Sequence, residues 1–244
     1  MKGAGGRTLG TGRVPERVDV RAEYDAWADT YPAVAHNPVM RAEQAIVEPL
    51  LRRLAPQRAL DVGTGSGRYL DLLASIGARA VGVDFSMAML TRRAGLRTDA
   101  RRGSPEGPRY TLCADARRLP IRSRAVDLVN ASLMAGDVDD LPAWTREMAR
   151  VLAPGGHLVY SDFHPNWTHL GWRRTFRDAA GTTHDLPFVP HSMDQHLGAL
   201  ADAGLALQFL REPGLADDRD RAVRSFRRQW GDPSVVVVLH ATKR

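Results

Sequence analysis

Apolar residues recur at helical spacing over residues 20–28 and again over 38–54, where Ala55 and Pro56 break the run. The pattern then changes to short apolar blocks separated by helical stretches. It predicts strands at 59–62 and 80–84 and helices at 67–76 and 86–93. Such alternation implies right-handed βαβ units and a parallel sheet covered by helices on both faces. Further apolar blocks at 110–116, 126–133, 205–210 and 235–240 read as strands, with a polar stretch at 212–231 between the last two. The arginine-, glycine- and proline-rich stretch 95–108 reads as an exposed loop.

The first strand runs into Gly63, Gly65 and Gly67, which alternate with Thr64 and Ser66 ahead of a helical pattern. Glycines at a strand-to-helix turn tolerate positive φ and let a ligand lie against the backbone and the first N–H groups of the helix. The dinucleotide fingerprint needs a third glycine three positions after the second. That position holds Arg68 counting from Gly65, and Leu70 counting from Gly67. No Gly-Lys-Ser/Thr follows either, so the phosphate loop is also absent.

An acidic residue, Asp61, in front of an alternating glycine triplet resembles the first motif of class I methyltransferases that use S-adenosylmethionine. The resemblance extends, in order, over roughly residues 58–163. It implies a Rossmann-like α/β fold: a doubly wound, seven-stranded sheet, mostly parallel, with an antiparallel edge hairpin from the two C-terminal strands. Asp84 ends an apolar strand about 20 residues after the glycines, where a carboxylate can accept both ribose hydroxyls. By the same resemblance Asp115 and Ala116 meet the adenine, and Asn130 and Ala131 end the strand beside the reactive sulfonium. Phe85 and Met87 pack on the adenine face, and Tyr24 and Tyr31 of an aromatic N-terminal helix cover the methionyl end. Asp61, Gly63, Thr64, Gly65 and Gly67 complete the expected cofactor set. The long segment after the fifth strand is similar to the lid of small-molecule enzymes of the methyltransferase-11 group.

At 244 residues the chain is long enough for one such domain, with an N-terminal cap at about 20–55 and a lid at about 163–196. Residues 1–19 are expected to form a disordered tail. The run of valines at 235–238 is far short of the ~20 residues a membrane span needs. One cysteine, Cys113, cannot form an internal disulfide, which suits a reducing cytoplasm, and on an apolar strand it reads as a buried hydrophobe. The formal charge of +6 raises the question of nucleic acid, but the arginines are scattered and lack interleaved aromatics, so pairs such as Arg173 and Arg174 read as solvated surface.

The segment 163–196 carries five histidines together with Trp167, Trp172, Phe176 and Phe188. Trp167, Trp172, His184 and His191 are the expected wall of an apolar acceptor pocket, or a contact between two copies of the chain. Methyl transfer asks the enzyme to align nucleophile and methyl and, for a hydroxyl or ammonium acceptor, to remove a proton. His164, just beyond the fifth strand, is the first candidate base and Asp137 the second. The histidine spacing matches no metal motif. The reading is a cytoplasmic S-adenosylmethionine-dependent methyltransferase, releasing S-adenosylhomocysteine and acting on oxygen or nitrogen of a small aromatic or hydrophobic metabolite as monomer or homodimer. An RNA acceptor, or a non-catalytic module that only binds the cofactor, are the alternatives.

Overall fold

The computed structural model describes residues 20–96, 109–215 and 219–244. The expected tail at 1–19 and most of the expected loop at 95–108 lie outside them. Helix α1 (Arg21–Trp27) continues into a 3-10 turn (Ala28–Thr30) and is followed by helix α2 (Pro38–Leu54). The start of α2 is set by Asn37, whose side chain accepts from the Met40 N–H at 2.8 Å, with Pro38 in the first turn. Its end is set by Ala55, in the left-handed region at φ 42°. Then come β1 (Arg58–Val62), α3 (Arg68–Ser75), β2 (Arg79–Asp84), α4 (Met87–Leu96), β3 (Arg109–Cys113), β4 (Val126–Ala131), α5 (Leu141–Val151) and β5 (Leu152–Phe163). The remaining elements are α6 (Asn166–His169), the small strands β6 (Thr175–Arg177) and β7 (Thr183–Asp185), α7 (Met193–Asp202), β8 (Leu205–Arg211), α8 (Arg221–Trp230) and β9 (Val236–Lys243).

Seven strands form one sheet in the order β3-β2-β1-β4-β5-β9-β8. The pairs from β3 through β5 are parallel, and β9 runs antiparallel to both β5 and β8. This is the expected Rossmann-like class, with β9 inserted between β5 and the outermost strand β8. The polar stretch between those two strands holds α8, which the sequence pattern did not suggest. Among the described residues, Val223 and Phe226 of α8 join the core and Trp230 meets Trp172; this helical spacing is set among four arginines, so the stretch as a whole reads as polar.

The valine run fills the middle of the molecule, and its side chains alternate as a strand requires. Val236 and Val238 pack with Val47, Leu51, Leu70 and Leu73 of α2 and α3. Val237 and Leu239 pack with Trp144 and Met148 of α5 and with Tyr160. Among the described residues no helix is long and apolar enough to cross a membrane. Cys113 is exposed, contrary to the buried position expected of it. It ends the edge strand β3, whose Tyr110 and Leu112 are exposed as well.

Successive strands step from β1 outward to β3, and the chain then returns to place β4 on the other side of β1. In an open α/β sheet the crevice beyond the carboxyl ends of the strands at such a reversal is where ligands bind.

Candidate active site

At that crevice the glycine loop is left-handed at three positions, with φ of 67° at Gly63, 51° at Gly65 and 85° at Gly67. A Cβ at Gly65 would also lie 3.3 Å from the Met89 Cε, so both backbone conformation and space call for glycine there. The loop is braced from below by Asp61, which is 3% exposed. Its Oδ2 accepts from the Thr64 hydroxyl at 2.7 Å and its Oδ1 from the Asn130 amide at 2.8 Å, tying β1, the loop and β4 together. Gly82 lets the loop lean on β2, since a Cβ there would sit 2.7 Å from Leu70 and 2.8 Å from the Thr64 hydroxyl. Asp84, at the end of β2, accepts from the Gly65 N–H at 2.8 Å and from the Ser86 N–H at 2.9 Å. Burial pushes its carboxyl up to about 6, against the pull of those two N–H groups.

A cavity of about 500 Å³ opens over this loop, within the range of small-molecule and cofactor sites. Of the residues expected at a cofactor, Tyr24, Tyr31, Gly63, Gly65, Asp84, Phe85, Asp115 and Ala116 line it. Thr64, Gly67, Asp61, Asn130 and Ala131 do not: the first two shape the turn and the others sit beneath it. The wall after β4 is made instead by Ser132, Leu133 and Met134. Met87 is also absent from the wall and is 59% exposed, while Met89, two residues further along α4, lines the cavity. Asp115 is engaged by Arg117, whose nearest nitrogen is 2.6 Å away, and both face the cavity.

The roof is aromatic. Trp27 stacks on Phe176 of β6 with ring centroids 5.1 Å apart and meets Tyr31 edge-on at 4.6 Å. The Thr30 hydroxyl donates to the Arg177 carbonyl at 2.8 Å, a second tie between the N-terminal segment and the segment after β5. Trp167 lines the cavity, but Trp172, His184 and His191 do not. Trp172 packs against Trp167 and Phe226, His184 stacks on Phe176 and lies 2.7 Å from Asp178, and the His191 Nε2 lies 2.9 Å from the Val138 carbonyl.

Of the two candidate bases, Asp137 lines the cavity and His164 does not. His164 Nε2 is 2.9 Å from Glu212 Oε1, and its Nδ1 accepts from the Asn166 N–H at 3.1 Å, so the ring joins the base of α6 to the end of β8. Asp137 stands on a 3-10 turn (Ala135–Asp137) after β4. Its Oδ2 accepts from the Tyr24 hydroxyl at 2.8 Å and its Oδ1 from Arg174 Nη1 at 2.8 Å, while Arg174 Nη2 donates to the Tyr24 oxygen at 2.9 Å. Arg174, expected on a solvated surface, is 8% exposed and lies 4.7 Å from the centre of the Phe163 ring. Burial raises the Tyr24 phenol well above its ordinary range, and Asp137 adds to that. Tyr24 therefore stays protonated and donates.

Sequence reading missed a second buried charge. Glu43 of α2 is fully buried and accepts from the Tyr69 hydroxyl at 2.6 Å, from Arg68 Nη2 at 3.1 Å and from the Ser161 hydroxyl at 3.1 Å. Arg68, the residue directly after the glycine loop, reaches from this network to the cavity wall. Among the described residues no cluster of three or more His, Cys, Asp or Glu side chains is placed to hold a metal ion.

Residues 60–160 match the family model of the methyltransferase domain. The chain is 31% identical over 153 residues to a malonyl-[acyl-carrier protein] O-methyltransferase of Methylovorus sp. (strain MP688), covering 62% of this chain and 52% of that protein. It is 38% identical over 111 residues to a demethylmenaquinone methyltransferase of Corynebacterium urealyticum, covering 45% and 44%. The chain thus spans about half the length of these curated relatives. Among solved structures, an S-adenosylmethionine-dependent methyltransferase from Mesorhizobium loti superposes with a TM-score of 0.62 at 23% identity, over 80% of this chain and 96% of that one, which shows the shared fold.

Proposed function

We propose that the chain carries a class I, S-adenosylmethionine-dependent methyltransferase domain and that it transfers a methyl group to oxygen or nitrogen of a small, mainly apolar metabolite in the cytoplasm. The observation that carries this reading is the pairing of Asp84 with the left-handed glycine loop inside one cavity at the sheet reversal. The residues fit the cofactor. Each Asp84 oxygen accepts one backbone N–H and keeps a lone pair for a ribose hydroxyl, and Gly63 and Gly65 leave the space a Cβ would take. Ala116 and the Asp115–Arg117 pair would border the adenine, and Tyr31 the methionyl end.

Bound S-adenosylmethionine supplies a methyl carbon already activated by positive sulfur. This chain has then to hold the acceptor in line and exclude water. Trp27, Phe85, Phe163 and Trp167 give the cavity an apolar wall suited to a hydrophobic acceptor. No histidine lines it among the described residues, so Asp137 takes the role of proton acceptor for a hydroxyl or ammonium nucleophile. Names of the relatives refer to a carrier-bound acid and a quinone precursor, which favours a metabolite over RNA.

Two measurements test this reading. Calorimetric titration with S-adenosylhomocysteine and, in parallel, NAD should give binding of the former alone. Radiolabelled methyl transfer should then appear with phenols, amines or carboxylic acids, and no turnover with any acceptor despite tight cofactor binding would leave a non-catalytic module. His164→Ala is expected to leave S-adenosylhomocysteine affinity unchanged. Because the ring is buried and bonded to both Glu212 and Asn166, its loss should cost about 1–3 kcal/mol in chemical denaturation. A large loss of affinity would return His164 to the site.

A further inference from the structure

Asp162, one residue before the end of β5, belongs to neither the cofactor set nor the cavity wall, yet it is 2% exposed. Its Oδ1 accepts from the Gly136 N–H at 3.1 Å and from the Phe163 N–H at 2.8 Å. Gly136 is the middle residue of the turn that carries Asp137, and a Cβ at Gly136 would sit 3.0 Å from that same Oδ1. Two more bonds hold the turn from the segment after β5: the Val189 N–H donates to the Gly136 carbonyl at 2.7 Å, and His191 Nε2 lies 2.9 Å from the Val138 carbonyl. The turn in turn presents Asp137 to Tyr24 of α1 and to Arg174 ahead of β6. That triad is where the N-terminal segment, the sheet and the segment after β5 meet over the cavity.

We propose that Asp162 is a positioning residue: through Gly136 it fixes the turn that holds Asp137, and so governs whether Tyr24 and Arg174 close the roof over a bound cofactor. The proposal rests on the methyltransferase reading for what the roof covers. The groups facing Asp162 are Asp137 on the turn, Arg174 from the roof, and His196 of α7, whose Nε2 lies 3.6 Å from Asp162 Oδ2. His196 in turn has Tyr160 of β5 at its Nδ1, 3.2 Å away, and the His191 ring 5.8 Å away. The His196 Nε2 is buried and has no hydrogen-bond partner. A protonated Asp162 can donate to it and still accept from Gly136 at Oδ1.

Burial, together with the Asp137 charge, raises the Asp162 carboxyl to about 7. A buried acid raised in this way favours the native arrangement when neutral, so its contribution is present at low pH and fades as pH rises through about 7. Ionisation buries a charge beside that of Asp137; desolvation and this repulsion outweigh the pull of the Phe163 and Gly136 N–H groups and of Arg174, and the turn loosens.

The test uses hydrogen–deuterium exchange of the full chain with saturating S-adenosylhomocysteine, following peptides over residues 20–31 and 173–189. Rates are corrected for intrinsic exchange at each pH. The wild type should lose protection in both peptides between pH 6 and pH 8. Asp162→Asn, which keeps an acceptor for Gly136 and cannot ionise, should stay protected and flat with pH. Gly136→Ala, which crowds Oδ1, should expose both peptides at least threefold faster at pH 6 while leaving the peptide over the glycine loop unchanged. A pH response in Asp162→Asn equal to that of the wild type, or wild-type protection in Gly136→Ala, overturns the proposal. Failure of S-adenosylhomocysteine to bind the wild type at all refutes the cofactor reading instead; the pH response of the unliganded chain then tests the positioning role alone.

Discussion

Asp84→Ala should weaken S-adenosylhomocysteine binding at least tenfold, about 1.4 kcal/mol, through loss of charge-assisted hydrogen bonds to the ribose. The structure adds a pH signature. Asp84 must be ionised to accept from two hydroxyls while already accepting from Gly65 and Ser86, and its carboxyl is raised to about 6 by burial. A proton therefore competes with the cofactor. From this proton alone, wild-type affinity should fall, approaching tenfold per unit, as pH drops below about 6. Asp84→Asn should bind weakly at every pH and show no such slope.

The same shift has the opposite sign for the free protein. A carboxyl raised from 3.8 to about 6 in the fold contributes stability that is present at low pH and lost as pH climbs through about 6. Above that pH the ionised side chain is a cost to the empty fold, so Asp84→Ala should change the melting temperature little while binding collapses. Calorimetry with the two variants at pH 5.5 and pH 7.5, beside melting curves, separates these effects. Unchanged affinity in a folded Asp84→Ala protein would remove Asp84 from the site.

Elements whose periodicity was strong could be read from the chain. The parallel strands, the α2 helix ending at Ala55 and the glycine loop all follow from local rules: period, breakers and positive φ. Tertiary placement decided the rest. Met87 and Met89 are equally apolar, and the start of α4 turns the second of them toward Gly65. Asp61, Asp84 and Asp115 all lie at or near the ends of strands, but only depth in the sheet separates a brace from a ligand-facing acid. Asp61 spends its oxygens on Thr64 and Asn130, below the loop that Asp84 reaches from above. Arg174 could not be told from the exposed Arg173 beside it, because its burial depends on Asp137, Tyr24 and Phe163, which converge from three distant parts of the chain.

Glu43 is the case where a signal was present and unused. Along α2 the buried positions include Met40, Glu43, Val47, Leu50 and Leu51, at the spacing of a single helical face, so a carboxylate stands in the middle of an apolar stripe. A charge there has to find partners, and it finds Arg68, Tyr69 and Ser161. Glu43→Ala would leave the Arg68 guanidinium, 14% exposed, without its buried counter-ion, and two hydroxyls without their acceptor. The expected cost is about 3–5 kcal/mol, or a melting temperature lowered by roughly 6–20 °C for a chain of this size. Glu43→Gln keeps one acceptor oxygen where the carboxylate offers two, one to Tyr69 and one to Ser161, and should lose about half as much. Arg68 also borders the cavity, so bound S-adenosylhomocysteine should raise the melting temperature of Glu43→Ala less than it raises that of the wild type. A drop under about 2 °C in Glu43→Ala would mean that the network is no more stabilising than the water it displaced, and that α2 is held by its apolar stripe alone.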